Sequence, residues 1–133
     1  MQPDNLLVTE DCRRAAEVLA RIGEKWSVMI FMRLEIEPQR FSELRREIAT
    51  ISSKMLTSTL RGLEREGFVS RTVFPTNPPS VEYQLTDLGR EMAEQLRVLA
   101  TWVLGNLPRI EDARNRFDTV TIDTRRLSAQ PTS

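Results

Sequence analysis

The apolar positions change their period along the chain, and each change marks an element. From Thr9 or Asp11, either able to cap a helix, Ala15, Ala16, Leu19 and Ile22 predict an inward face on a first helix ending at about Ile22. Gly23 interrupts it. From Lys25 to about Ile36, Trp26, Val28, Met29, Ile30, Phe31, Met32 and Leu34 fall on nearly every side of a second helix. A helix apolar all round is buried all round, so this segment is expected to be the central post. Glu37-Pro38 stops it, because the residue before proline avoids the helical region.

The pattern then shortens. Arg40 to Ile48 reads as a small amphipathic helix with Phe41, Leu44 and Ile48 inward, and Ala49-Thr50-Ile51 is a turn. Ser52 opens a further helix whose Leu56, Leu60 and Leu63 share one face. Gly67 stands where a left-handed residue closes a helix. Phe68 to Phe74, rich in β-branched and aromatic residues, is a strand. Pro75-Thr76-Asn77-Pro78-Pro79-Ser80 cannot pair in a ladder and projects as a loop, and Val81, Tyr83 and Leu85 alternate with polar residues on the return strand.

Thr86 caps a long helix that is expected to reach about Leu107, before Pro108. Its apolar stripe exceeds what a small core needs. Leu88, Met92, Leu96, Leu99, Trp102 and Val103 are therefore expected to form a dimerisation seam, the alternative being a helix folded back on its own domain. Ile110 to Phe117 reads as one more short helix, and about 119–133 as a flexible tail. The expected fold is mainly α with a small β-hairpin. It is a single winged helix-turn-helix domain over 1–133, with N- and C-terminal dimerisation helices, the helix-turn-helix at about 40–67, the wing at about 68–85 and the dimerisation helix at about 86–107.

This layout points to chemistry through charge. The chain is formally neutral, with 19 basic and 19 acidic residues, which argues against a bulk polyanion binder. The charges are nevertheless uneven: residues 40–74 hold seven basic and four acidic residues, whereas the segments on either side are net acidic. A polar helix held outward by a smaller helix is the element that enters a DNA major groove. On it, Ser53, Lys54, Thr57, Ser58 and Arg61 lie opposite the leucines. Arg61 can fork onto guanine, Thr57 and Ser58 can hydrogen-bond or touch a thymine methyl, and Ser52 caps a helix end whose N–H groups suit a phosphate. Arg40 is placed for a phosphate; Arg71 and the loop tip Thr76-Asn77 are candidate minor-groove or phosphate contacts. Arg45 and Arg46 are weaker candidates, since Glu43 or Glu47 can pair with them, and Tyr83 reads as core.

The single cysteine and the absence of histidine exclude an intrachain disulfide and the common zinc cages, so no metal or cofactor is expected. With no histidine and no phosphate-cradling glycine loop, an enzyme is not expected either. The opening Met-Gln-Pro-Asp lacks the marks of a signal peptide, and the apolar run Val28–Met32 is too short to span a bilayer. A cytoplasmic protein with no membrane partner is expected. Cys12 falls in the first turn of the first helix, where the helix dipole with Arg13 and Arg14 favours a thiolate and Glu10 and Asp11 oppose it. The same residue can equally be a space-filling side chain.

The chain resembles the HxlR family of winged-helix transcriptional regulators over about residues 10–105. The markers are Cys12, Ile22-Gly23-Glu24-Lys25-Trp26-Ser27, Arg40-Phe41-Ser42-Glu43-Leu44-Arg45-Arg46, Ile51-Ser52-Ser53-Lys54-Met55-Leu56-Thr57, Leu60-Arg61-Gly62-Leu63-Glu64, Pro78 to Thr86, and Gly89. The resemblance implies a bacterial homodimer on a palindromic double-stranded DNA operator. It also implies a small electrophile or oxidant as a candidate inducer, sensed through the N-terminal cysteine as in several family members. Two positions depart from the family pattern: Ser53 where proline is frequent, and Gly62 where a polar residue is usual. Gly62 is expected to mark a close approach to a neighbouring backbone. Competing readings are a winged helix that docks a protein, and a regulator with Cys12 inert and a small ligand between the long helices.

Overall fold

The structure, a computed structural model, describes residues 9–129, with side chains through 126. Its elements are α1 (Glu10–Ile22), α2 (Lys25–Ile36), β1 (Gln39–Arg40), α3 (Phe41–Glu47), α4 (Ser53–Arg65), β2 (Val69–Phe74), β3 (Ser80–Leu85) and α5 (Asp87–Ala129). The chain divides into two units at Leu96–Arg97. The first holds the helix-turn-helix and wing and is called the head below.

The leucine face of α4 closes the head. Leu56, Leu60 and Leu63 are fully buried with Ile30 and Phe31 of α2 and Leu44 of α3. Each such side chain contributes about 1.5–3 kcal/mol by leaving water. Helix α4 ends in the paired hydrogen bonds of a Schellman motif: Phe68 N–H donates to Leu63 O and Gly67 N–H to Glu64 O, both at 3.0 Å. Gly67 takes φ +84°, the left-handed value its place required. The turn delivers Phe68 edge-on to Phe31, with ring centroids 5.7 Å apart, and so fixes the wing to α2.

The wing has one strand more than the hairpin expected. The two residues of β1 pair antiparallel with β3, giving the order β1-β3-β2, with Gln39 opposite Tyr83 and Arg40 opposite Glu82. Helix α5 is tied to the wing at Thr86, whose hydroxyl donates to Gly67 O and accepts from Gly89 N–H. A Cβ at Gly89 would collide with the carbonyl of Phe68, so only glycine lets α5 start this close.

Four expectations are corrected. Helix α5 does not stop before Pro108; it runs through it to Ala129, replacing both the separate Ile110–Phe117 helix and the tail over 119–129, while residues 130–133 lie outside the described residues. One proline removes one N–H and costs about 3 kcal/mol in a helix interior. On its far side the helix has local support, for example Arg116 to Asp112 at 2.9 Å. Helix α1 joins the core of the head through Val18 and Ile22, and Ala15, Ala16 and Leu19 are exposed. Helix α2 is buried along Ser27, Ile30, Phe31 and Leu34 only, leaving Met29 and Ile36 exposed. Gly62 meets a side chain and not a backbone: a Cβ there would press on the guanidinium of Arg21, whose Cζ lies 2.9 Å away.

Candidate nucleic-acid interface

The outward face of α4 begins at a capped helix start. Ser52 Oγ accepts from Met55 N–H at 3.1 Å, and Leu56 N–H reaches Ser52 O at 2.9 Å. The first-turn amides of Ser53 and Lys54 then have no acceptor within the helix, as its geometry dictates. Because Leu56, Leu60 and Leu63 take the inner side, Ser53, Lys54, Thr57, Ser58 and Arg61 line one open surface and all five are exposed. Thr57 is partly committed, since its hydroxyl donates to Ser53 O at 2.8 Å; a lone pair and the methyl remain for an outside partner.

The basic residues of this segment keep their charge for use. Among the described residues Arg40, Arg45, Arg46, Lys54 and Arg61 have no carboxylate within ion-pair distance. Glu47, expected to hold Arg45 or Arg46, instead faces Arg33 of α2 at 3.6 Å. Arg71 is the exception: its Nε lies 3.6 Å from Glu64, so only part of its charge is available. Thr57, Arg61, Glu64, Arg71 and Tyr83 surround a notch between α4 and the sheet. Burial pushes the Tyr83 phenol above its ordinary value, against an opposing pull from Arg71. Tyr83 is core, as its strand position implied.

A second cluster forms where β1 hands the chain to α3. Arg40, Phe41 and Ser42 share a groove with Thr76, Asn77 and the rest of the wing loop. The Arg40 backbone is set by its pairing with Glu82 and by its N–H, which donates to Glu43 Oε1 at 3.4 Å. Thr76 serves the loop itself, its hydroxyl donating to Pro78 O at 2.8 Å, whereas Asn77 is exposed at the tip. Ser42 joins this groove through the pairing of β1, a contact that no local spacing in the sequence marks.

Cys12 is half-buried on α1, and its cationic flank is compensated. Arg13 pairs with Glu10 at 2.6 Å and Arg14 lies 3.9 Å from Asp11, so both neighbouring cations face carboxylates. The six seam residues divide. Leu96 is buried and Met92 packs against the core of the head, whereas Leu88, Leu99, Trp102 and Val103 remain open. No described residues form a group of His, Cys, Asp or Glu side chains suited to a metal, and no helix among them is long and apolar enough to cross a membrane.

Known proteins share this arrangement. Residues 21–111 match the model of the HxlR-like helix-turn-helix family. An uncharacterized HTH-type transcriptional regulator of Escherichia coli, YtfH, is 41% identical over 109 residues, spanning 82% of this chain and 86% of its own length. Among solved structures, the transcriptional regulator ytfH from Salmonella typhimurium superposes with a TM-score of 0.70 at 40% identity, covering 76% of this chain and 90% of that one. The redox regulator HypR in its reduced form gives 0.69 at 35% identity, covering 74% and 98%. The diamide-treated YodB of Bacillus subtilis gives 0.60 at 32% identity, covering 66% and 87%. The outward polar helix, the wing and these likenesses together establish that the chain belongs to the HxlR-like helix-turn-helix family of transcriptional regulators.

Proposed function

We propose that the chain is a homodimeric regulator that reads a palindromic operator with α4, holds phosphates with Arg40 and the first-turn amides of α4, and follows the adjacent backbone or minor groove with Asn77 and Arg71. The observation that carries this reading is the open surface of Ser53, Lys54, Thr57, Ser58 and Arg61, in which neither cation is spent on a carboxylate of the chain. Two such helices on a two-fold dimer meet half-sites about 10 base pairs, or roughly 34 Å, apart. Arg61→Ala is expected to weaken operator binding by about 1–3 kcal/mol and to relax preference at one base pair per half-site. Arg40→Ala should weaken all sequences alike. Unchanged operator affinity for Arg61→Ala at fixed salt would remove α4 from the groove. Loss of binding to a protein partner, with no salt-dependent DNA affinity, would favour the docking-module reading instead.

The signal is proposed to be an oxidant or electrophile acting at Cys12. The support is the likeness to HypR and YodB, one named a redox regulator and the other solved after diamide treatment. As the only cysteine, Cys12 can form a bridge to its copy, a mixed disulfide, a sulfenic acid or an adduct. Operator binding by wild type and Cys12→Ser, before and after diamide, checks this. Release of wild type alone is expected. Equal responses would make Cys12 a packing residue and move the inducer elsewhere, as the paired Arg13 and Arg14 would then explain.

A further inference from the structure

The notch between α4 and the sheet holds a buried polar side chain that no other residue of the chain uses. On one face of the wing the cross-strand pairs run outward from the core: Val69 opposite Leu85, Arg71 opposite Tyr83, then Val73 opposite Val81. Val69 and Leu85 are buried and Val73 is 54% exposed, so Tyr83 stands where the core gives way to solvent. It is 8% exposed, and its hydroxyl makes no hydrogen bond among the described residues. Arginines from both elements converge on it. Arg61 and Arg65 of α4 and Arg71 of β2 line the notch, with Glu64 as its only carboxylate among the described residues. Arg71 faces Glu64 at 3.6 Å, whereas Arg61 and Arg65 have no carboxylate within ion-pair distance among the described residues.

Three guanidinium groups against one carboxylate leave the notch net positive. Burial holds the Tyr83 phenol above its ordinary value, so at neutral pH it offers an O–H donor and no second negative charge. Cations from two elements around an unpartnered O–H fit an oxyanion, and the neighbouring surfaces say which. In a duplex a sugar-phosphate strand divides the major groove from the minor. With α4 in one groove and the wing along the next, that strand crosses the space between them, which is the notch. We propose that the notch seats one backbone phosphate of the duplex, with Tyr83 as a neutral hydrogen-bond donor and Arg65 as a charged one. Neither residue is marked as a contact by its place in the sequence: Tyr83 reads as core, and Arg65 lies a turn beyond Arg61. Glu64 works against the seat, since its charge repels a phosphate and engages part of Arg71. The inference rests on the operator reading and is independent of Cys12.

The test uses the full chain, a duplex that it selects from a random pool, and an unselected duplex of equal length. Tyr83→Phe keeps the ring, and an unchanged Tm would confirm that the head is folded. It should weaken binding to both duplexes by about three- to tenfold. The salt dependence should not change, because a neutral donor releases no counterion. Arg65→Ala should weaken both duplexes alike and lower the salt slope by about 0.9, the value for one phosphate. Glu64→Gln should tighten both by about two- to fivefold. Replacing backbone phosphates one at a time by neutral methylphosphonates then locates the seat: at one phosphate in each half-site the loss in Tyr83→Phe should vanish. Unchanged affinity in Tyr83→Phe, or a loss that persists at every substituted phosphate, would make Tyr83 a packing residue and overturn the seat. An unchanged slope in Arg65→Ala would overturn it too. Weaker binding of inorganic phosphate by these variants, with DNA affinity intact, would assign the notch to a free anion and not to the duplex. Each of these results leaves the operator reading standing where Arg61→Ala still relaxes base preference; a wild type that selects no duplex overturns both.

Discussion

The head and the C-terminal unit use apolar side chains in opposite ways. In the head, α4 buries Leu56, Leu60 and Leu63 almost completely within the protomer. Beyond Leu96 the same kind of residue is left open: Val98, Leu99, Trp102, Leu104, Phe117 and Val120 are all exposed. The charges of the head are themselves divided: Arg13, Arg14, Arg33, Arg71 and Arg90 face carboxylates, while Arg40, Arg45, Arg46, Lys54 and Arg61 lack carboxylate partners among the described residues. The head is thus closed in its core and open in the charge around α3 and α4, which suits a polyanion; the C-terminal unit exposes apolar side chains, which suits a partner surface.

The largest expected effect tests the boundary itself. Leu96 and Leu99 are three residues apart on one helix, yet Leu96 is buried in the head and Leu99 is exposed. Leu96→Asp would place an unpaired charge in that core, at a cost of about 4 kcal/mol or more, and should unfold the head. Leu99→Asp should leave the head folded and weaken only the proposed dimer. Circular dichroism and sedimentation of the two variants separate the outcomes, and matching behaviour would erase the distinction between the units.

A smaller contrast is carried by two glycines of α5. A Cβ at Gly89 would collide with Phe68 O, while one at Gly105 would meet nothing within 4 Å. Gly89→Ala is expected to cost about 3 kcal/mol, because backbone cannot yield as a side chain can. Gly105→Ala should be neutral in the free protomer or stabilising by up to about 1 kcal/mol. Thermal unfolding measured on both variants decides, and a stabilised Gly89→Ala would mean that α5 does not start where the Thr86 hydrogen bonds hold it.

These contrasts also show where the sequence was legible. The bounds of α2, the leucine face of α4 and the role of Gly67 could be read because each rests on local spacing or on a conformation few residues adopt. The two-residue β1 has no period to detect, and with it went the reason Arg40 and Ser42 share a groove with the wing loop. Pro108 does not end α5, because a helix that continues on both sides can lack one N–H. For α1, apolar spacing names a face but not the neighbour that covers it: Leu19 lies on that face and is exposed. The surface of α4 is readable as a face, while the absence of a Glu47 partner for Arg45 and Arg46 depends on Glu47 facing Arg33 of α2, a tertiary contact that local spacing does not show.

The smallest effect concerns Gly62, the departure that looked structural. In a helix interior glycine costs about 1 kcal/mol relative to alanine, so its presence in α4 needs an offsetting gain or has none. The neighbour that a Cβ would displace is the guanidinium of Arg21, the far end of a flexible chain on α1. Such a group can rotate aside, unlike the carbonyl facing Gly89. Gly62→Ala is therefore expected to stabilise the head by somewhat less than about 1 kcal/mol, a rise of a few degrees in Tm at this chain length. Arg21→Ala should remove the obstruction, so that adding Gly62→Ala to it recovers the whole propensity gain. The difference between the two increments is the cost of moving Arg21, and a double-mutant cycle by thermal unfolding measures it. If Gly62→Ala lowers Tm in the wild-type background and raises it in Arg21→Ala, then Arg21 is held on α4 firmly enough to matter, and α1 contributes to the head through Arg21 as well as through Val18 and Ile22.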